Sequence, residues 1–343
     1  MQFGSDNQSG VHPQILAAMT DAASGTAPAY GEDDWTQAVT ERLSDIFERP
    51  CQVFLVATGS AANALALSAL CPPWGGIYCH HAAHIINDEN TAPEAISGGA
   101  RQLGIPGDAG KPDPTAIREH IVASQIHGVH NVKPSAISLS NVTEWGAVYT
   151  PDEVAEYGAI AREHGLGLHM DGARFANAVV GADAHPADLT WRAGVDALSF
   201  GATKNGAMAA EAVVFFNDEA AEAFAYRRKR FGHLWSKHRF LAAQWLGYLQ
   251  DDLWLDNARH ANAMAAALAS GLAAIPGVDL PWAVEANELF PVLPTAIATQ
   301  LEQAGATFYP WPEQPGMVRM VTSFATTEED VAEFLRIAAS VTD

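Results

Sequence analysis

Short apolar runs alternate with amphipathic stretches over the first two thirds of the chain. The run at 53–56 (VFLV) predicts a buried strand, which leads through the segment TGS at 58–60 into an alanine-rich helix. Further strands are predicted at 77–79, 136–140, 166–170, 195–200 and 212–216. Because strands that alternate with helices form crossover units, this order predicts an α/β fold with a mostly parallel sheet.

One predicted helix carries signals at both of its ends. Thr150 is a suitable N-cap, Pro151 fits the first turn, and Gly165 marks the end. From about residue 218 the pattern becomes helical, with long stretches at 218–249 and 254–272. The later predictions are a strand near 288–293, a helix near 295–304, a strand at 317–322 and a helix from Glu328.

This change of pattern divides the chain into two predicted domains. Residues 1–245 are expected to form a large domain with an N-terminal arm, and residues 246–343 a smaller α+β domain. A chain of 343 residues is long enough for two domains and can bury a sizeable core.

Composition narrows the class of protein further. The 19 basic and 40 acidic residues give a net charge of −21, which argues against nucleic-acid binding. Three cysteines without metal-type spacing favour a reducing cytoplasm. The N-terminus lacks the pattern of a signal peptide, and no apolar run is long enough to cross a bilayer. A cytoplasmic α/β protein with no membrane partner is therefore expected.

Lys204 is the first candidate for chemistry. It follows the predicted strand 195–200 in the glycine-flanked segment GATKNG. Ligands of open α/β sheets bind outside the carboxyl ends of the strands, and a lysine held there can form a Schiff base with a carbonyl compound. For an isolated lysine, a surface position on a turn is the simpler explanation.

Two further segments lie at ends of predicted strands. Asp171 follows the strand 166–170 and could hold a protonated ring nitrogen or a metal, although a helix cap is the simpler explanation for this residue alone. Arg174, three residues later, is a planar fork suited to a carboxylate. The segment TGS at 58–60 offers free N–H groups and a helix dipole to an anion, or is an ordinary helix cap.

A histidine cluster allows two interpretations. His80, His81 and His84, with Glu89 nearby, could bind zinc. However, adjacent residues of a strand point to opposite faces, which separates His80 from His81. The imidazole of His84 could equally stack on a cofactor ring, and an exposed loop position explains at least one of the three.

Taken together, these groups match the needs of pyridoxal phosphate. Its phosphate requires helix N–H groups, its pyridine nitrogen a carboxylate, and its aldehyde a lysine. Lys204 follows Asp171 by 33 residues, and the anion site and the imidazole precede both. No other common cofactor needs all three groups at once, so pyridoxal phosphate is the expected cofactor, and no metal is expected.

With these residues, nearly the whole chain resembles a known family. The landmarks are FGSDN at 3–7, AYGED at 29–33, TGSAAN at 58–63, HMDGARF at 169–175 and FGATKNG at 200–206. They resemble the low-specificity L-threonine aldolases of the pyridoxal-phosphate fold-type I, or aspartate-aminotransferase-like, superfamily. The bacterial subgroup that includes phenylserine aldolases is the most similar. The resemblance implies a seven-stranded sheet in a large domain that binds the cofactor.

The resemblance also implies roles for the matched residues. Lys204 would hold the cofactor, Asp171 would pair with its ring nitrogen, and His84 would stack on the ring. The other cofactor contacts would be Gly59, Ser60, Arg174 and, from a neighbouring subunit, Arg228. The substrate contacts would be Ser5, Asn63, Arg174, Arg319 and, from a neighbour, Tyr30. His84, Glu89 or a water between them would act as the base.

One segment departs from the family pattern. Where many threonine aldolases carry a second active-site histidine, this chain reads SNVTEWG at 140–146. Thr143 is then expected to hydrogen-bond the β-hydroxyl group of the substrate, and Glu144 is either a further participant or a loop carboxylate.

The expected reaction is cleavage of L-threonine, L-allo-threonine or another β-hydroxy-α-amino acid, such as phenylserine, to glycine and an aldehyde. A homo-oligomer, either a dimer with shared sites or a tetramer, is implied. Three alternatives stay open: another fold-type I lyase or aminotransferase, a non-catalytic regulator that binds pyridoxal phosphate, and a zinc enzyme built on His80, His81 and His84.

Overall fold

The computed structural model describes residues 1–341. The helices are α1 (Pro13–Asp21), α2 (Asp34–Ile46), α3 (Gly59–Leu70), α4 (His84–Asn87), α5 (Ala92–Ser97), α6 (Pro114–Ile126), α7 (Pro151–His164), α8 (Phe175–Ala182), α9 (Asp218–Arg230), α10 (Arg239–Leu249), α11 (Leu253–Ala273), α12 (Thr295–Gln303) and α13 (Glu328–Ala339). The strands are β1 (Gln52–Val56), β2 (Gly75–His80), β3 (Arg101–Ile105), β4 (Lys133–Ser140), β5 (Gly167–Gly172), β6 (Ala197–Gly201), β7 (Glu211–Phe215), β8 (Glu288–Leu289), β9 (Tyr309–Pro310) and β10 (Val318–Val321). No helix among these residues is both long enough and apolar enough to span a bilayer.

A seven-stranded sheet forms the centre of the molecule, in the order β1-β7-β6-β5-β4-β2-β3. Strands β3, β2, β4, β5 and β6 run parallel, whereas β7 is antiparallel to both β1 and β6. The prediction of a mostly parallel seven-stranded sheet is confirmed. The parallel strands place their carboxyl ends at one edge, where a doubly wound sheet binds its ligands.

Local signals account for several element boundaries. Thr150 and Glu153 form a capping box at the start of α7, Pro151 occupies its first turn, and Gly165 ends it with φ 65°. The predicted helical stretch 218–249 is wrong in one respect, because α9 and α10 are separate helices. The chain turns between them at Gly232, which has φ 80°.

Strand β3 lies outside the sequence predictions. It occupies the edge of the sheet next to β2, and only Gln102 and Ile105 of its five residues are buried. An edge strand needs no continuous apolar run, so the segment RQLGI carries little periodic signal.

The two largest hydrophobic cores among residues 1–341 lie around the sheet and in the C-terminal unit. The larger one surrounds the sheet, where Phe200 packs edge-on against Phe175 and Trp254. The smaller one includes Leu268 and Phe334 of the C-terminal unit. The packing changes partway along α11, because Trp254 belongs to the first core and Leu268 to the second.

The N-terminal arm packs against the C-terminal unit. Phe3 is fully buried in the smaller core, with its ring 5.1 Å from that of Phe334. The Phe3 N–H donates to the Thr307 carbonyl at 3.0 Å, and the Val321 N–H donates to the Phe3 carbonyl at 2.8 Å. These contacts carry the next residues of the arm, Ser5 and Asp6, toward the carboxyl edge of the large sheet.

Candidate active site

A cavity of about 700 Å³ opens at the carboxyl edge of the sheet. It is bordered by the start of α3, the ends of β4 and β5, the turn that follows β6, and the first residues of β7 and β8. Most of the predicted site residues line it: Ser5, Gly59, Ser60, Asn63, His84, Thr143, Asp171, Arg174, Lys204 and Arg319. The tertiary structure thus brings together residues that are up to 314 positions apart in the chain (319 − 5).

Lys204 follows β6 in a tight turn. A Cβ atom on Gly201 would lie 2.5 Å from the carbonyl oxygen of Ala173, so this close approach requires glycine. Gly206, with φ 121°, closes the turn. Burial, and then the nearby charge of Arg174, lower the pKa of Lys204. A larger neutral fraction makes the amine a better nucleophile toward a carbonyl carbon.

Asp171 lies near the end of β5, and both of its carboxylate oxygens have partners. Oδ1 accepts the Ala173 N–H at 3.0 Å, and Oδ2 accepts Nδ2 of Asn63 at 2.8 Å. Nδ2 of Asn63 also donates to Oε1 of Glu89 at 2.8 Å. Asn63, expected to contact substrate, therefore orients two buried carboxylates in this structure.

His84, which lines the cavity, forms a pair with the buried carboxylate of Glu89. Nδ1 of His84 lies 2.9 Å from Oε1 of Glu89. This hydrogen bond is the main reason that the pKa of His84 is raised, and burial raises the pKa of Glu89. The His84 side chain is 43% exposed, so the imidazole remains accessible to a ligand in the cavity.

The histidine cluster does not assemble as a zinc site would require. His80 ends β2, and its Nε2 lies 3.2 Å from the Gly107 carbonyl oxygen. The rings of His80 and His81 are neighbours, with centroids 4.2 Å apart, because the strand ends at His80 and the chain turns there. The expectation that they face opposite sides is wrong.

His84 is instead grouped with Glu89 and Asp171, whose ligand atoms lie within 4.8 Å of one another. Asn63 donates hydrogen bonds to both of these carboxylates. One oxygen of each carboxylate is therefore already engaged by an amide hydrogen.

Glu144 borders the cavity, and one of its two carboxylate oxygens has no hydrogen-bond partner in the described part of the chain. Its Oε1 accepts the backbone N–H of His84 at 2.8 Å and the Ser140 hydroxyl at 2.7 Å. Its Oε2 is buried and has no hydrogen-bond partner among residues 1–341. Burial raises the pKa of Glu144 to about 7, a value suited to proton transfer at neutral pH.

The hydroxyl group of Thr143 is already engaged. It donates to the Ala109 carbonyl at 2.9 Å and accepts the Ala147 N–H at 3.0 Å. Thr143 borders the cavity, but these two bonds give its hydroxyl a structural role in the loop. Contrary to the sequence expectation, Glu144 rather than Thr143 offers the free polar atom in this segment.

Two arginines and two carboxylates meet at another part of the cavity wall. Arg174 forms a bidentate pair with Asp6, with Nε–Oδ2 at 2.7 Å and Nη2–Oδ1 at 3.0 Å. Its Nη1 lies 3.4 Å from Oε2 of Glu288, and Nη1 of Arg319 lies 3.9 Å from Oε1 of Glu288. Arg174, expected to bind a substrate carboxylate, is thus largely committed to Asp6.

Sequence reasoning assigned no role to three buried acids at the site: Asp6, Glu211 and Glu288. Glu211 accepts the Thr203 hydroxyl, and burial raises its pKa to about 7. The sequence contains only weak signals that these acids belong to the site. Glu288 is a charged residue at the start of a predicted strand, and Asp6 lies within the FGSDN landmark.

The start of α3 provides an anion site. Thr58 caps the helix, and its Oγ1 accepts the Ala61 N–H at 3.3 Å. Gly59 and Ser60 form the first turn of this 12-residue helix and line the cavity, where the helix dipole favours negative charge. A Cβ atom on Gly59 would meet nothing within 4 Å, so open space adjoins its backbone.

Tyr30 and Arg228 lie away from this chain's cavity. Tyr30 is 49% exposed, and Nζ of Lys229 lies 4.6 Å from its ring centroid. Nη1 of Arg228 donates to the Leu55 carbonyl at 3.3 Å, and burial lowers the pKa of Arg228 to about 10. Neither residue is among those that line the cavity at the carboxyl edge of the sheet.

The sheet order, together with a lysine after β6 and an aspartate on β5, defines a fold-type I α/β protein. The chain belongs to the Beta-eliminating lyase family, whose model matches residues 2–293. It is 45% identical over 335 residues to a low specificity L-threonine aldolase of Pseudomonas aeruginosa, covering 98% of this chain and 96% of that one. It is 44% identical over 332 residues to the enzyme of the same name from a Pseudomonas species, covering 97% and 95%.

Solved structures agree with this assignment. A threonine aldolase of Leishmania major matches with a TM-score of 0.92 at 31% identity, and the match covers 98% of each chain. An aspartate aminotransferase of Rhodobacter sphaeroides matches with a TM-score of 0.69 at 15% identity, over 99% of this chain and 92% of that one. The second likeness concerns the fold alone.

Proposed function

We propose that this protein cleaves L-threonine, L-allo-threonine and related β-hydroxy-α-amino acids, including phenylserine, to glycine and an aldehyde. Pyridoxal phosphate is the proposed cofactor. The observation that carries the proposal is the convergence of Lys204, Asp171 and the α3 anion site on one cavity. The names and the 44–45% identity of the two Pseudomonas relatives support the choice of reaction.

The residues present fit this cofactor. Lys204 would bind its aldehyde carbon, and Asp171 would accept a hydrogen bond from its ring nitrogen. Gly59 and Ser60 would donate N–H groups to its phosphate, and His84 would cover one face of its ring. When bound, the cofactor supplies a sink for the electron pair released as the Cα–Cβ bond breaks.

The protein's own groups bind and orient the substrate. Arg319, whose buried Nε has no partner among residues 1–341, and Ser5 would bind the substrate carboxylate. Arg174, held by Asp6 and 3.4 Å from Glu288, would border this contact rather than make it. Fixing the carboxylate restricts rotation about Cα, which favours cleavage of the bond to Cβ.

Cleavage requires loss of the proton on the β-hydroxyl group. The carboxylate of Glu144 would accept this proton, because Glu144 borders the cavity, its Oε2 has no hydrogen-bond partner among residues 1–341, and its pKa is about 7. His84 is less suited to the role, since its hydrogen bond with Glu89 favours the protonated imidazole. His84 and Glu89 would instead hold a proton beside the reacting atoms.

The family description suggests a second candidate reaction. Elimination across Cα–Cβ would release ammonia and 2-oxobutanoate from L-threonine, whereas aldol cleavage releases acetaldehyde and glycine. The experiment is to supply the purified protein with pyridoxal phosphate and L-threonine and to quantify all four products. Equal amounts of glycine and acetaldehyde would support the proposal, and ammonia with 2-oxobutanoate would overturn it.

A variant comparison links the reaction to the proposed site. Lys204→Ala should lose the visible absorption of the bound cofactor and nearly all turnover. Lys133→Ala, at an exposed lysine on β4, is the matched control and should behave like the wild type. Turnover retained by Lys204→Ala would contradict the assignment of this lysine.

Assembly and location also belong to the proposal. A homo-oligomer, dimer or tetramer, would allow Tyr30 and Arg228 to border a neighbouring site, which is consistent with their positions outside this chain's cavity. The three cysteines are buried and unpaired, as expected of a protein in a reducing cytoplasm.

A further inference from the structure

Glu288 lies at the cavity where the substrate carboxylate is proposed to bind. It begins β8, its residue exposure is 1%, and its carboxylate lies between Arg174 and Arg319. Neither of its carboxylate oxygens has a hydrogen-bond partner among residues 1–341. The proposed reaction assigns no step to this buried acid.

The charges at this part of the cavity cancel. Asp6 holds Arg174 through two short hydrogen bonds, so one positive and one negative charge are already paired. Glu288 then offsets the charge of Arg319 at 3.9 Å. Two arginines facing two carboxylates leave no excess positive charge for a ligand with more than one negative group.

The remainder of the lining strengthens this effect. Asp88, Glu144, Asp171 and Glu211 also border the cavity, whereas His84 and Lys204 are the further basic residues there. The two carboxylates of a 3-hydroxyaspartate are separated by only two carbon atoms. If one contacts Arg319, the other stays within two carbon atoms of it and therefore near Glu288, whose carboxylate lies 3.9 Å from Arg319, and like charges repel there.

We propose that Glu288 is a specificity-determining residue that restricts the substrates to amino acids with a single carboxylate. The inference rests on the proposed function, because it concerns the same cavity and the same carboxylate contact. Removing the charge of Glu288 should improve the binding of both substrate classes. The improvement should be greater for a dicarboxylic substrate, because both of its charges feel the change.

The test compares Glu288→Gln with the wild-type holoenzyme on L-threonine and on L-threo-3-hydroxyaspartate. Both substrates yield glycine, together with acetaldehyde or glyoxylate, so glycine release is a common readout. The ratio of kcat/KM for hydroxyaspartate to that for threonine should rise by about tenfold or more in Glu288→Gln. An unchanged ratio in a folded variant would overturn the proposal.

Two controls separate charge from shape. Glu288→Asp keeps the charge and should retain the wild-type ratio. Glu285→Gln removes one charge three residues away, outside the cavity lining, and should also retain it. If Glu288→Gln does not fold, Glu288→Ser provides the same comparison. A rise of the ratio in Glu285→Gln equal to that in Glu288→Gln would show that net charge, not position, is responsible.

Binding measurements keep the inference independent of the reaction. L-Alanine and L-aspartate have no β-hydroxyl group, and calorimetry gives their affinities for the holoenzyme without cleavage. The affinity of L-aspartate relative to L-alanine should increase about tenfold in Glu288→Gln. If the wild type does not cleave L-threonine, the proposed function fails, whereas this binding ratio still decides the role of Glu288.

Discussion

Replacing Glu144 by glutamine tests the proposed proton acceptor. Glutamine keeps the shape, and its oxygen can still accept the Ser140 hydroxyl and the His84 N–H, but it cannot take a proton. Because the pKa of Glu144 rises from 4.5 to about 7, ionising it costs about 3 kcal/mol more in the folded protein than in water. That cost leaves about half of the carboxyl groups ionised near pH 7 and able to act as a base.

The assay is the pH dependence of kcat/KM for L-threonine. In the wild type, kcat/KM should rise with pH and level off above about pH 7, as Glu144 loses its proton. Glu144→Gln should lose this rise and about 10²- to 10⁴-fold of the rate.

A milder variant gives a graded control. The Ser140 hydroxyl lowers the pKa of Glu144, so Ser140→Ala should move the midpoint to higher pH while turnover persists. If Glu144→Gln keeps both the wild-type rate and the rise near pH 7, then Glu144 is not the base.

Three further predictions concern the titratable side chains of Asp6, His169 and Arg319. Asp6→Ala should destabilise the fold by about 3–5 kcal/mol in urea unfolding, because it leaves Arg174 without its bidentate partner. Burial alone would raise the pKa of Asp6, but the charges of Arg174 and Lys204 lower it below 3.8. This stabilisation should therefore be present above about pH 3.8 and disappear as the pH falls further. An Asp6→Ala variant as stable as the wild type at pH 7 would contradict the prediction. Burial lowers the pKa of His169 from 6.5 to about 4, so the wild type should lose up to about 3 kcal/mol of unfolding free energy between pH 6.5 and 4. His169→Gln should not show this loss. If unfolding free energies from urea titrations fall equally with pH in both proteins, this explanation is excluded. Arg319→Ala should raise KM for L-threonine by about 10- to 100-fold with a smaller effect on kcat, and an unchanged KM would refute the carboxylate contact.

The parts of the site that are accessible from sequence share a local origin. Lys204, Asp171 and Gly59 each follow or end a strand whose apolar run is visible in the sequence, and the edge at which parallel strands end is common to all of them. The sequence also singles out Asn63, but as a substrate contact rather than as the residue that orients two buried carboxylates. Its two hydrogen bonds depend on how α3 packs across the sheet, which the sequence of the helix does not specify.

By itself, the sequence determined the alternation of strands and helices, the parallel sheet and the residues at its carboxyl edge. These follow from short-range periodicity and from motifs a few residues long. The tertiary structure alone decided the charge balance around Arg174. Asp6 reaches it because Phe3 anchors the arm in the C-terminal core, and Glu288 reaches it from β8. Such contacts join distant parts of the chain, and their energies depend on burial and distance, neither of which is encoded in local pattern.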